Sequence, residues 1–354
     1  MTEVLSVVML FVPLFVVTWL ANVAQARRMR GEPHQGLVIT VLLFIAAFYA
    51  GAFLTGLLVQ VAAVAVRMDP EAVAQAMGPL NVASWDLLAV GLWGPALVGL
   101  LLLLPVVRRG VARFVPLDPD NPVHAVALSF TMLVVINLVF TLGVGLENLA
   151  DMMATAREMR GEEDGSTYLM ASLWAQQSLT ALLAMVGVGW LTRMDWRGAL
   201  ARLGVTSMSA QQWLMGVGMG VGLVPAMLLL ERLFSLIGWG AQADVGRLTE
   251  LLIGALFESP FGILTLGLSA ALGEETIFRG ALQPRFGLLL TSLLFALVHS
   301  NYGITFSTLI VFLIGMLFGW LRIRHNTSTA MVAHAVYNMT LGLLAYLGVS
   351  LVEY

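Results

Sequence analysis

The chain has 354 residues, 59% apolar and 11% charged, with a mean hydropathy of +0.89. Soluble domains run near 45–50% apolar and about 25% charged, so this composition excludes an ordinary water-soluble globule, which would leave too much apolar surface facing water. The net charge of −3 gives no footing for a nucleic-acid partner, and the lack of Cys excludes disulfides, thiolate metal sites and a cysteine nucleophile.

A helix needs about 20 apolar residues to cross a bilayer. The first stretch, Val4–Ala26, ends in Ala24-Gln25-Ala26, which resembles a signal-peptide cleavage site. Glu3 stands where a basic n-region belongs, and Arg27, Arg28 and Arg30 follow directly. A retained first helix with its N-terminus outside is therefore expected. Further apolar stretches are Leu37–Val66, Leu87–Val107, Val123–Leu146, Ala171–Leu191, Trp213–Gly238, Phe261–Leu282, Gly287–His299, Ile304–Leu321 and Ser328–Val349. The expected fold is all-α, a polytopic transmembrane helix bundle of about eight to ten spans.

Alternate connections carry Arg27/Arg28/Arg30, Arg108/Arg109/Arg113, Arg193/Arg197/Arg202, Arg285, and Arg322/Arg324. The intervening ones carry acids: Asp69 and Glu71; Glu147, Asp151, Glu162, Glu163 and Asp164; Asp244 and Glu250. This matches the positive-inside rule, with the basic ends in the cytoplasm. Thr192–Gln212 mixes Trp196, Leu200 and Leu203 with three Arg, which suits a helix lying at the interface. Glu147–Tyr168 reads as an outer amphipathic helix followed by a Gly/Asp-rich turn. Gly216-x-Gly218-x-Gly220-x-Gly222 follows no strand, so close helix packing is the better reading than a nucleotide loop, as for Gly315-x-x-x-Gly319.

An ionisable residue inside a span costs about 2.5–3.5 kcal/mol on insertion scales and marks function. Glu274, Glu275 and Arg279 stand inside the seventh stretch, while His299 and His334 belong to later ones. Residues four apart share a helix face. Glu275 and Arg279 are thus expected as an ion pair that leaves Glu274 free, and His334 with Asn338 is expected to face one cavity. Counting 1.5 Å per residue from the inner span ends puts Glu274 at roughly 12 Å, His334 at about 9 Å and His299 at about 18 Å. A carboxylate and a His at one water suit base-catalysed hydrolysis. The same Glu274, His299 and His334 could instead bind a divalent metal such as zinc. Hydrogen bonding between helices is the plain structural alternative.

Glu274-Glu275-x-x-x-Arg279, Phe295-x-x-x-His299 and His334-x-x-x-Asn338, in that order, resemble the three motifs of the CPBP (Abi) family, whose best-known members are Rce1-type (type II) CAAX prenyl endopeptidases. The resemblance covers roughly Gly262 to Val349. It implies an intramembrane endopeptidase with Glu274 as general base assisted by His299, His334 and Asn338 stabilising the oxyanion, and Glu275 and Arg279 supporting the site. A glutamic mechanism without cofactor is favoured. It also implies a catalytic membrane domain over residues 211–354, after N-terminal helices of unassigned role over 1–210 with the interfacial helix near 192–212. The substrate would be a membrane-anchored protein or peptide in the lipid bilayer, and the location a bacterial inner membrane. A non-proteolytic scaffold, immunity or partner-binding role and a proton-coupled transporter are the competing functions.

Overall fold

A computed structural model describes residues 2–71, 82–160, 165–240 and 242–348. Among these, strand pairing is confined to one isolated bridge between Trp190 and Met194, and the chain is an all-α bundle. The first group of helices comprises α1 (Thr2–Met29), α2 (Gln35–Met68), α3 (Trp85–Leu102), the short α4 (Pro105–Val111) and α5 (Pro122–Val144). After α6 (Leu146–Arg160) come α7 (Gly165–Val188) and α8 (Trp196–Leu203). The remainder is α9 (Ala210–Ser235), α10 (Ala243–Ile253), α11 (Pro260–Glu274), a π-helical segment (Glu275–Leu282), α12 (Gln283–Leu297), α13 (Phe306–Arg324) and α14 (Thr327–Tyr346). Among the described residues, eight helical stretches are long and apolar enough to cross a bilayer, so the protein is a multi-pass integral membrane protein.

One of those eight, Pro260–Leu297, merges two expected stretches into 38 residues. At 1.5 Å per residue that would be about 57 Å, far more than the ~30 Å hydrocarbon layer. The chain in fact doubles back within it. Phe278 and Phe295 stack edge-on at 5.3 Å, and Glu274 lies 3.9 Å from His299, pairings that require a reversal midway between them. Gly287 supplies it, with φ 77° and ψ 171°, a conformation that strains any residue with a Cβ. The last expected stretch appears as α14, and its end at Val349 lies outside the described residues.

Among the described residues packing forms four apolar clusters, two of them far apart in sequence. Helices α1, α2, α3 and α5 enclose Val17, Ala21, Val41, Ile45, Tyr49, Ala96 and Val126. Helices α9, α13 and α14 enclose Leu223, Ile314, Phe318, Leu321, Ala330 and Ala333. Between them α7 packs on both α1 and α11. A Cβ on Gly216 would come within 3.1 Å of the Thr329 carbonyl, and one on Gly220 within 2.6 Å of the Ala333 carbonyl, so these two glycines do serve close α9–α14 packing. Gly218 and Gly222 face open space, which halves the expected motif. On α13, Gly315 abuts Ser292 and Phe295, and Gly319 abuts Leu288.

The interfacial helix is shorter than the expected 192–212. Asp195 caps α8 by accepting from the Gly198 N–H at 2.8 Å, and Gly204 stops it with φ 73°. Its Ala199 and Leu203 are buried while Trp196 is half exposed. The expected outer helix is α6, whose Asp151 pairs with Arg247 of α10 at 2.7 Å. The turn expected after it, residues 161–164, lies outside the described residues. Arg28 at the end of α1 donates to the Asp120 carbonyl at 2.8 Å, and the Arg322 guanidinium approaches Gly204. Basic connections distant in sequence thus gather at one end of the bundle.

Candidate active site

Three local devices aim the candidate side chains. Ser259 caps α11 by accepting from the Gly262 N–H at 3.1 Å, with Pro260 at the first helical position, which starts the helix carrying Glu274. The π-segment then widens the turn through Glu275–Leu282; single π-turns often mark functional sites. Asn326 caps α14 by accepting from the Thr329 N–H at 2.8 Å, and the Thr327 hydroxyl donates to the Leu203 carbonyl at 2.6 Å. These bonds set the depth of His334, two turns along.

Glu274 and His299 meet across the hairpin. The Nε2 of His299 lies 3.9 Å from Oε2 of Glu274, and both side chains are mostly buried. Counting had left His299 some 6 Å from Glu274 in depth. That mismatch came from ending the seventh stretch at Leu282, whereas the chain reverses at Gly287, with Glu274 and His299 nearly equal numbers of residues to either side. The Nδ1–H of His299 donates to the Phe295 carbonyl at 2.8 Å, because a carbonyl can only accept. In the neutral ring Nε2 therefore carries the lone pair.

Glu274 is not free, contrary to expectation. Gln177 on α7 donates from Nε2 to Oε1 of Glu274 at 3.2 Å, while the buried Oε2 accepts no protein hydrogen bond. Gly273 makes this reach possible. A Cβ there would fall 2.7 Å from the Gln177 carbonyl oxygen and collide with the Gln177 side chain, so only glycine lets α7 lie this close.

Glu275 and Arg279 lie side by side, fully buried, with Arg279 Nε 3.2 Å from Glu275 Oε2. The angle falls short of a hydrogen bond, and the guanidinium instead rests over the Phe295 ring, 4.7 Å from its centre, as a cation–π contact. The other oxygen, Oε1, accepts from Nδ1 of His334 at 2.9 Å. His334 was expected to face one cavity with Asn338; its ring is bonded to Glu275, stacked on Phe318 at 5.1 Å and edge-on to Phe295 at 6.0 Å. Asn338 sits half-buried one turn further along α14. Thus five of the six candidates gather as two units beside Phe295, Glu274 with His299 and Glu275 with Arg279 and His334, while Asn338 lies one turn beyond His334.

Among the described residues, Glu274, His299 and His334 are not gathered as a three-ligand metal cluster. The ring of His334 is turned by Glu275, whose carboxylate takes Nδ1. Two contributors escaped sequence reasoning, and a third was read there only for its spacing. Gln177 was detectable only as part of the polar pair Gln176-Gln177 within an apolar stretch. Phe295, read as a spacing partner of His299, proves to be the ring on which Phe278, Arg279, His299 and His334 all pack. Tyr302 stacks on His299 at 5.9 Å, and no sequence signal pointed to it.

Compared with known families, residues 256–340 match the Rce1-like model, described as type II CAAX prenyl endopeptidase Rce1-like. That span contains Glu274, His299, His334 and Asn338. No curated protein and no solved structure matches the chain.

Proposed function

From the premise that this chain carries a segment of the Rce1-like family over residues 256–340, we propose that it is a glutamic intramembrane endopeptidase whose base is Glu274. The observation that carries the reading is the pair Oε2 of Glu274 and Nε2 of His299, 3.9 Å apart. Both are hydrogen-bond acceptors when Glu274 is ionised and His299 neutral. The gap is too long for a direct bond and suits one water that donates a hydrogen to each.

The mechanism follows from those positions. Gln177 holds Oε1, so Oε2 is the basic oxygen. Glu274 removes a proton as the water oxygen attacks the carbonyl carbon of the scissile bond. The resulting oxyanion is assigned to His334 and Asn338, with His334 oriented through Nδ1 by Glu275. That role requires a proton on Nε2 of His334. When the tetrahedral intermediate collapses, Glu274 returns its proton to the departing amine nitrogen. Arg279, against Glu275 and over Phe295, keeps the carboxylate in place. The basic connections gathered near the hairpin turn support a reaction toward the cytoplasmic side. The substrate class that suits this site is a membrane-associated protein, prenylated where the family description applies.

The test is independent of knowing the substrate. Membrane-protein termini from cells expressing the wild-type chain and the Glu274→Gln variant are compared by mass spectrometry. Termini generated by wild type should vanish in the variant, and cleavage of any substrate so found should fall by about 10²–10⁴-fold in proteoliposomes, with the variant's melting temperature unchanged. Undiminished cleavage would overturn the assignment. A strong metal chelator should leave wild-type cleavage intact, and loss restored by zinc would replace the glutamic mechanism with a metal-dependent one.

A further inference from the structure

Beside the π-segment lies a cleft of about 440 Å³ between α1, α5, α7 and the hairpin, and Glu274 is not among the residues that line it. This volume falls within the ~300–1,000 Å³ common for ligand sites. Its walls are apolar, with Leu14, Val134, Leu183 and Ile277 among them. One margin is different in kind, because His124, Arg193, Arg202 and Arg285 all border the same cleft.

Among the described residues, the three arginines have no acidic partner. Arg202 and Arg285 form no hydrogen bond or ion pair with a described residue, and Arg285 is exposed at the turn of the hairpin. Arg193 spends Nη2 on Asn22 Oδ1 at 2.6 Å and the Val188 carbonyl at 3.2 Å, leaving its buried Nε unbonded. Burial first, and then the neighbouring Arg285, holds the pKa of Arg193 below the ordinary arginine value. For Arg202 burial acts first, followed by Arg285, Arg322 and Arg193. Among the described residues no carboxylate offsets either. The nearby Asp118 is engaged by Arg28 at 3.4 Å, and its N–H donates to Nδ1 of His124 at 2.9 Å, which leaves Nε2–H as the donor of a neutral His124 ring.

We infer that this cleft binds an anionic phospholipid, with one acyl chain between α1, α5, α7 and the π-segment and the phosphate held by Arg193, Arg202 and Arg285. An apolar slot continuous with three uncompensated arginines at one end of a membrane bundle matches an amphiphile with an anionic head. Arginine suits phosphate because its planar fork can donate two parallel hydrogen bonds. The bound chain also braces the hairpin, because Phe278 lines the cleft on one side and packs on Phe295 at 5.3 Å on the other.

The test uses the full chain, delipidated in neutral detergent, with retention of added lipid read by native mass spectrometry. Dioleoylphosphatidylglycerol should bind saturably as a single molecule, and dioleoylphosphatidylcholine should not. The Arg202→Gln/Arg285→Gln double variant should bind phosphatidylglycerol roughly thirtyfold more weakly, equivalent to about 2 kcal/mol. Should the pair of changes disturb folding, seen as a lowered melting temperature, Arg285→Gln alone should weaken binding about fivefold. Equal retention of phosphatidylcholine, or unaltered binding by the variants, would overturn the proposal. So would equal competition by inorganic phosphate or dihexanoylphosphatidylglycerol, which would reduce the cleft to a headgroup site. Displacement of the lipid by an equimolar farnesylated peptide would make the cleft a substrate path and overturn it as well.

Discussion

Around Tyr49, helices α1, α2, α3 and α5 enclose a cluster of mostly aliphatic side chains, the polar side chains buried elsewhere on these helices, such as Asn22, Ser129 and Thr131, are uncharged, and the Tyr49 hydroxyl is donated to the Ser129 carbonyl at 2.6 Å. Around Phe295, within the same protein, Glu275, Arg279, Thr291 and Ser292 are buried completely and His334 nearly so. The first region is what lipid-solvated helices need: small residues such as Ala96 and Gly99 let the tyrosine ring pack closely, and its one donor is satisfied. The second carries charges that cost about 2.5–3.5 kcal/mol each to bring into a membrane. Packing alone gives no reason for that expense, and the difference between the regions is the physical mark of the site.

The comparison can be broken most sharply at Arg279. Arg279→Met leaves Glu275 facing only His334 and should destabilise the protein by about 3–5 kcal/mol, the usual loss when one partner of a buried pair is removed. Thermal unfolding in detergent measures it, and a loss below that of any single change around Tyr49 would erase the contrast. Gly273→Ala should come next, at about 1–3 kcal/mol from overpacking. Because its Cβ meets the backbone of Gln177, the change should also separate α7 from α11, which a disulfide-trapping pair across that contact would report.

Gln177→Leu tests positioning separately from stability. It should lower kcat roughly tenfold, about 1.4 kcal/mol, with KM and melting temperature little changed, and Gln177→Asn should not restore the full rate because its amide is one carbon shorter. An unchanged kcat would remove Gln177 from the site. The smallest effect belongs to the aliphatic region, where Tyr49→Phe should cost about 0.5–1.5 kcal/mol through one lost hydrogen bond and leave cleavage intact.

Much of the fold was legible because membrane helices announce themselves by length and apolarity, which depend on no tertiary contact. The Glu275–Arg279 adjacency was legible for a similar reason: four residues along a helix is a local distance, and it survived even the π-helical turn. The reversal at Gly287 was half visible, as a gap between two apolar stretches. Its consequence for depth was not, since placing His299 level with Glu274 depends on where the chain turns rather than on how many residues are apolar.

What the sequence determined by itself is a multi-pass helical bundle and a set of ionisable residues too costly to place in lipid without purpose. Both follow from the solvent, since transfer energies are properties of single residues and of local periodicity. Which partner each charge takes was decided only in three dimensions. Glu274 and Glu275 are chain neighbours with the same chemistry, yet one faces His299 and Gln177 while the other is enclosed by Arg279 and His334. Helix geometry turns adjacent residues about 100° apart, and the packing of α7, α12 and α14 around that one turn makes one carboxylate a candidate base and the other a buried strut.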